Sequence, residues 1–91
     1  SGQSVALQSM SLGIPVLITK TIGFWDTEKF KDNNNIFFMN TNDPNVWSEK
    51  ILSLFSDDEL MRAVSKNSIK TINQNYDINL FNNKLEKVLL S

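Results

Sequence analysis

The sequence predicts an α/β domain in which helices flank a parallel sheet, and three observations favour this class. The continuous apolar and β-branched run over residues 16–19 is typical of a strand buried on both faces. A helical pattern precedes that strand, and further helical patterns follow a second strand at residues 36–39. Only these two strands are convincing, whereas parallel sheets usually contain more. We therefore expect residues 1–91 to be an incomplete fragment of a larger α/β domain, without an internal boundary.

The first helix is predicted over residues 5–12. Ser4 is one of the residue types that cap helix N-termini, and Gly13 suits the left-handed conformation that ends many helices. Pro15 prevents the helix from continuing. The strand at residues 16–19 follows, and we expect it to be parallel and central in the sheet.

The stretch between the two strands, residues 20–35, is predicted to be a loop. One short helical turn is expected at residues 27–30, with Asp26 as its cap. Three consecutive asparagines, residues 33–35, indicate a tight turn, because asparagine accepts positive φ angles more readily than most other non-glycine residues.

The second half of the chain is predicted to be helical. Asp43 as N-cap and Pro44 at the first helical position begin one helix. We expect that helix to lie on the sheet through an apolar face of Trp47, Ile51, Leu54 and Phe55.

Two further helices are predicted after it. A capping box from Ser56 to Glu59 begins a helix over residues 57–74, and its sparse apolar positions imply that one side is solvated. Asp77 is the expected cap of a last helix, whose apolar stripe consists of Ile78, Phe81, Leu85, Val88 and Leu89.

Composition excludes several kinds of chemistry. The chain has 91 residues, of which 41% are hydrophobic and 21% charged, and its net charge of −1 indicates neither nucleic-acid nor acidic-membrane binding. The absence of cysteine and histidine excludes disulfides, thiol catalysis and the commonest general base from this segment. No apolar run approaches the about 18 residues of a membrane span. We expect a cytoplasmic setting, with peripheral contact to the inner face of the membrane through a missing part as an open alternative.

The first candidate site is the start of the first helix. Its residues are Gly2, Gln3, Ser4 and Val5. A small residue before a helix lets a ligand approach the backbone, and the first amides of a helix attract anions. The alternative is a capped core helix with no ligand.

The second candidate site is the carboxyl end of the first strand, where open α/β sheets place their ligands. Thr21, Ile22 and Gly23 lie there, and Lys20 is placed to reach a phosphate. The alternatives are a surface turn that needs Gly23 for its backbone angle and a solvated lysine. The aromatic pair at residues 24 and 25 either stacks on a ligand or covers the loop.

The stretch Ser9-Met10-Ser11-Leu12-Gly13-Ile14-Pro15-Val16-Leu17 resembles a family pattern, Ala-Met-Ala-x-Gly-x-Pro-Val-Val. That pattern belongs to the C-terminal domain of GT-B glycosyltransferases of the family-4-like kind, also described as glycosyl transferases group 1. The stretch over residues 31–38 is similar to the family's Asp-Gly-x-Asn-Gly turn and strand, and residues 42–44 resemble its Gly-Asp-Pro helix start. Nearly the whole chain is covered.

The resemblance implies a Rossmann-like parallel sheet and a retaining transfer of sugar from a nucleotide-diphosphate-sugar donor to a glycan or lipid-linked acceptor, without a required metal. It implies that the start of the first helix and the segment at residues 20–23 contact the donor. Gln8 stands where the family has the glutamate that holds the ribose, and the family's first glutamate falls before Ser1. An N-terminal domain of the same chain supplies the remaining residues in this family, so the 91 residues alone are expected to be inactive.

No catalytic residue is assigned, since the acidic side chains form no pair with catalytic spacing. They are Asp26, Glu28, Asp32, Asp57, Asp58 and Glu59. Two other functions stay open. One is a non-catalytic α/β interaction module that docks through Phe81, Leu85 and Val88, and the other is a GT-B nucleotide-sugar epimerase. Trp47 and the apolar stripe around Phe81 are interpreted as packing.

Overall fold

The computed structural model describes residues 2–76. The elements follow in the order α1 (Gly2–Ser11), β1 (Leu17–Thr19), β2 (Phe37–Met39), α2 (Pro44–Phe55) and α3 (Asp58–Asn75). The two strands are parallel neighbours, with Leu17 opposite Phe37 and Thr19 opposite Met39. The predicted class is confirmed: this is a small α/β unit with a parallel sheet, consistent with a Rossmann-like fragment followed by a helical part. The last predicted helix, from Asp77 onward, lies outside the described residues.

The two strands differ in burial. All three residues of β2 are buried, whereas all three residues of β1 are only partly buried. The predicted parallel pairing is confirmed, whereas burial of β1 on both faces is not seen in the described residues. The physical reason is that β1 pairs with β2 along one edge, and within residues 2–76 no strand covers its other edge. Its central position in a larger sheet stays a prediction.

Helix α1 packs beside the sheet. Its buried face, which includes Leu7 and Met10, joins a core cluster with Ile36 and Phe38 of the sheet layer and Ile72 of α3. A short connection at residues 12–16 leads from α1 into β1. A connection this short places the end of α1 near the beginning of β1, and we infer from it that the start of α1 lies toward the carboxyl edge of the strands.

The start of α1 differs from the prediction. The helix begins at Gly2, so Ser4 lies inside its first turn and is not the N-cap. Glycine, glutamine and serine all occur in the first turn of helices, so residues 2–4 can take helical backbone angles. A helix that begins at Gly2 also has more backbone hydrogen bonds than one that begins after Ser4. The preference of serine for the N-cap therefore did not set the first residue of the helix.

The end of α1 agrees with the prediction. Gly13 has a φ of +78°, its amide donates to the carbonyl of Met10 at 3.0 Å, and the amide of Ile14 donates to the carbonyl of Ser9 at 2.9 Å. These two bonds form a Schellman motif, which satisfies carbonyls at the end of the helix.

One face of α3 supplies further hydrogen bonds to this helix end. Ser65 Oγ donates to the carbonyl of Gly13 at 2.6 Å, and Ser68 Oγ lies 3.2 Å from the carbonyl of Met10. Ser68 is fully buried, between the equally buried Val64 and Ile72. The polar stripe of α3, defined as Ser65, Asn67, Ser68 and Thr71, therefore faces the protein. The sequence analysis, which considered only the apolar positions of this helix, did not identify this stripe.

The same stripe holds the asparagine turn. Asn35 is buried, and its Nδ2 donates to Thr71 Oγ1 at 2.8 Å and to the carbonyl of Lys29 at 2.7 Å. Its Oδ1 accepts from the amide of Lys31 at 2.9 Å. The predicted tight turn is confirmed, with Asn33 at a φ of 61°.

The loop between the strands forms a series of turns. At residues 27–30, where one helical turn is predicted, the chain forms a single turn at residues 28–29 and no helix. The hydroxyl of Thr27 accepts from the amide of Lys29 at 3.3 Å, and the carboxylate of Asp26 lies beside Lys20 instead of capping a helix. Burial of Trp25 and Phe30 in the core fixes the path of this loop.

The junction between α2 and α3 differs from the predicted capping box. Asp57 is the N-cap of α3, and its Oδ1 accepts from the amide of Leu60 at 3.1 Å. Ser56 belongs to the end of α2, where its Oγ donates to the carbonyl of Leu52 at 2.9 Å. Because the Ser56 hydroxyl already bonds a carbonyl of α2, it does not cap α3. The observed bounds of α3, Asp58–Asn75, replace the predicted residues 57–74.

Helix α2 begins as predicted but packs less completely. Asp43 caps it by accepting from the amide of Asn45 at 2.9 Å. Leu54 is buried in a cluster with Phe37, whereas Phe55 is 73% exposed. The predicted apolar face therefore contacts the sheet only in part.

An apolar groove of about 270 Å³ lies beside this face of α2. It is lined by Ile14, Pro15, Leu17, Phe37, Ile51, Leu54, Phe55 and Met61.

Gly13→Val is expected to lower the free energy of unfolding by about 1–3 kcal/mol, because a β-branched residue resists a positive φ. A Cβ at residue 13 also comes within 2.9 Å of Ser65 Oγ and Ile69 Cδ1. Urea unfolding measures the loss. Gly2→Val is the matched control, since a Cβ at residue 2 has nothing within 4 Å. Equal stability of the two variants would contradict the role given to Gly13.

Asn35→Ala is expected to cost at least about 2 kcal/mol of folding stability, because it leaves buried groups without their hydrogen-bond partner. Asn34→Ala is the control, since Asn34 is exposed and its backbone carbonyl, not its side chain, accepts from Asn67. Thermal and urea unfolding of both variants provide the comparison. Similar losses in the two would show that the buried bonds of Asn35 do not hold the turn.

Candidate functional site

A polar depression lies at the carboxyl edge of the sheet. It has a volume of about 300 Å³ and is lined by Lys20, Thr21, Ile22, Asp26 and Asn40. Lys20 directly follows β1 and Asn40 directly follows β2. Because the strands are parallel, both chain segments leave the sheet at the same edge, which is where α/β proteins bind ligands.

Lys20 is the cation of this depression. Its amide donates to the carbonyl of Met39 at 2.9 Å, which attaches its backbone to the end of β2. Its Nζ lies 3.7 Å from Asp26 Oδ1 and 5.6 Å from the centroid of the Phe38 ring. About half of each charged side chain is exposed to solvent. The ammonium group is therefore held over the sheet edge but stays accessible.

The loop that follows Lys20 is open to solvent. Ile22 is 96% exposed. Gly23 has a φ of +108°, and a Cβ added there would meet no atom within 4 Å. The carbonyl of Gly23 accepts from the amide of Asp26 at 3.0 Å, which closes a turn. The predicted need for glycine at residue 23 is confirmed. Contact of Thr21, Ile22 and Gly23 with a donor stays a prediction.

The start of α1, which the short connection to β1 indicates to lie toward this edge, is the other part of the predicted site. Gly2, Gln3, Ser4 and Val5 are all exposed. The first amides of a helix have no intrahelical acceptor, so those of Gly2, Gln3 and Ser4 are available to a ligand. A Cβ added at Gly2 would meet no atom within 4 Å, so the backbone there can be approached closely. These residues do not line the depression around Lys20.

Gln8 lies one turn further along α1. It is 9% exposed and belongs to the buried face of the helix together with Leu7. The sequence leaves open whether Gln8 is a ribose partner or a buried polar residue of the core, and this burial favours the second, because little of the side chain is accessible from solvent. The contact with a donor ribose stays a prediction.

The aromatic pair at residues 24 and 25 belongs to a cluster of rings. The centroid of Trp25 lies 4.9 Å from that of Phe24 and 4.8 Å from that of Phe30, and Trp25 is 6% exposed. Phe24 also approaches Tyr76 at 6.5 Å, and burial raises the pKa of the Tyr76 phenol above its usual value. Trp25 therefore covers the loop and does not offer a face to a ligand.

Two of the acidic side chains considered in the sequence analysis have structural roles. Asp32 Oδ1 accepts from the amide of Phe38 at 2.9 Å, and Asp57 caps α3.

Among residues 2–76, no group of three or more His, Cys, Asp or Glu side chains is arranged to hold a metal ion. No helix in the same part of the chain is long and apolar enough to cross a membrane.

Two residues of the depression are not assigned to the site by the sequence pattern. Asn40 follows a predicted strand directly, so the rule that singles out Lys20 would also have found it. Asp26 is predicted from the sequence to be a helix cap. Its proximity to Lys20 depends on the turn at Gly23, which a pattern of residue types does not specify.

The family model described as glycosyl transferases group 1 matches residues 4–71. The match spans α1, both strands, α2 and most of α3, and the chain therefore belongs to this family. The class of protein is a glycosyltransferase, as the resemblance implied. A comparison with curated proteins found no match, and a comparison with solved structures found none either.

The interaction-module alternative relies on Phe81, Leu85 and Val88, which lie outside the described residues, and it stays a hypothesis.

Proposed function

We propose that this protein transfers a sugar from a nucleotide-diphosphate-sugar donor to a glycan or lipid-linked acceptor, with retention of configuration. Three things support the proposal: the family of the chain, the depression around Lys20 at the carboxyl edge of the sheet, and the exposed start of α1, which we infer to lie toward the same edge. The ammonium group of a lysine and the free amides at the start of a helix both bind phosphate oxygens.

The leaving diphosphate gains negative charge as the bond to the sugar breaks. Amides at a helix N-terminus are already oriented before the reaction, so they stabilise that charge without reorganising. In the proposed arrangement Gly2, Gln3, Ser4 and Val5 lie against the diphosphate, the first three with amides that have no intrahelical acceptor. Lys20 provides a mobile positive charge beside it. These groups supply the positive charge that the proposal needs, so it includes no metal ion.

The remaining contacts are part of the proposal. Gln8 is assigned to the ribose, where a neutral amide oxygen is a weaker acceptor than a carboxylate. Thr21, Ile22 and Gly23 are assigned to the phosphates and the donor sugar. The acceptor site and the other half of the donor site are assigned to a further domain of the same protein, and we expect the 91 residues alone to be inactive.

A thermal-shift panel of UDP, GDP, ADP and their sugar conjugates tests the proposal on the full-length protein. A ligand that binds only the folded state at 100 times its Kd adds ~2.7 kcal/mol of stability, which gives a clear shift. Selective stabilisation by one nucleotide diphosphate is the expected result. No shift from any member of the panel would contradict the proposal.

Gly2→Asp is expected to abolish the shift produced by that nucleotide, because the new carboxylate both fills the approach to the backbone and repels phosphate. Gly2→Asn is the matched control, since asparagine has nearly the same size without the charge and should reduce binding less. Both variants should fold, because nothing lies within 4 Å of a Cβ at residue 2. Unchanged nucleotide affinity in Gly2→Asp would remove the start of α1 from the site.

A further inference from the structure

The carboxylate of Asp26 is the anion beside the Lys20 ammonium. The two groups are 3.7 Å apart and share the lining of one depression with Thr21, Ile22 and Asn40. Lys20 Nζ also lies 5.6 Å from the centroid of the Phe38 ring. A phosphate that binds Lys20 within the depression therefore comes close to the carboxylate of Asp26 as well.

From this geometry we infer that Asp26 competes with the donor diphosphate for Lys20. The inference rests on the proposed function, because it requires that a diphosphate bind at this edge. Asp26 is the internal anion that Lys20 holds in the unliganded protein, and the incoming diphosphate must replace it. Asp26 thereby lowers the affinity for diphosphates and helps the diphosphate product to leave after transfer.

The strength of the ion pair suits such an exchange. Both side chains are about half exposed, and exposed pairs of this kind contribute roughly 0.2–1 kcal/mol. A pair this weak is displaced easily by a multiply charged phosphate group, yet it re-forms when the site empties. A buried pair would hold Lys20 too firmly to release it.

The repulsion between Asp26 and the ligand is larger for the product than for the donor. Release of the sugar converts a phosphodiester-type oxygen of the diphosphate into a terminal one, which adds negative charge. At a fixed distance the Coulomb repulsion grows with the charge of the ligand. Asp26 therefore weakens binding of the nucleoside diphosphate product more than binding of the sugar donor. In this way it makes the site selective for the less charged ligand.

Inorganic pyrophosphate is the probe for this inference, because it carries the charge of the diphosphate without a base or a sugar. Asp26→Asn keeps the size of the side chain and the backbone bond to Gly23, and it is expected to tighten pyrophosphate binding about two- to fivefold in the full-length protein. Glu28→Gln is the matched control. It makes the same change in net charge at an exposed residue of the same loop, outside the lining of the depression, and it should leave the Kd unchanged within error.

A double-mutant cycle with Lys20→Gln separates the two claims. Lys20→Gln should weaken pyrophosphate binding, and Asp26→Asn should produce a smaller gain in that background than in the wild type. Equal gains from Asp26→Asn and Glu28→Gln, or no gain from either, would overturn the inference about Asp26 while the loss in Lys20→Gln still supports the proposed site. Wild type and Lys20→Gln that bind pyrophosphate equally would contradict the role of Lys20 in the proposed function itself.

Discussion

The hydrogen bonds between the polar stripe of α3 and the backbone of its neighbours are the constraint on which the rest of the fold depends. Ser65 and Ser68 bind carbonyls at the end of α1, and Thr71 binds the buried amide of Asn35. These contacts join segments more than 30 residues apart in the sequence. Since buried polar groups cost free energy when unpaired, the stripe fixes both the position of α1 and the path of the loop before β2.

The position of α1 determines what the carboxyl edge of the sheet can bind. The end of α1 is anchored at Gly13, and in the proposed site its first amides face the edge where Lys20 and Asn40 leave the strands. The amides are fixed and Lys20 is only partly so, because its side chain is shared between Phe38 and Asp26. The edge thus combines a rigid set of donors with a cation whose partner can change, and this combination underlies the proposed binding of a diphosphate and its release.

Features set by one residue and its immediate neighbours were predictable from the sequence. Gly13 and Asn33 take positive φ angles and Asp43 caps α2, because each depends on local backbone geometry. Burial of β1 and the inward polar stripe of α3 were missed, since both depend on what packs against them from distant parts of the chain. The family resemblance was confirmed over residues 4–71. The pairing of Asp26 with Lys20 required the folded loop, and the assigned donor contacts stay predictions.

Hydrogen exchange measured by mass spectrometry, with and without inorganic pyrophosphate, tests most directly whether the carboxyl edge is the diphosphate site. Slower exchange is expected in peptides that cover residues 2–12 and 19–26, with no change in peptides from residues 51–61, which lie beside Ile14 and Pro15 before β1. Protection confined to residues 51–61, or no protection in residues 2–12 and 19–26 at saturating pyrophosphate, would contradict this assignment.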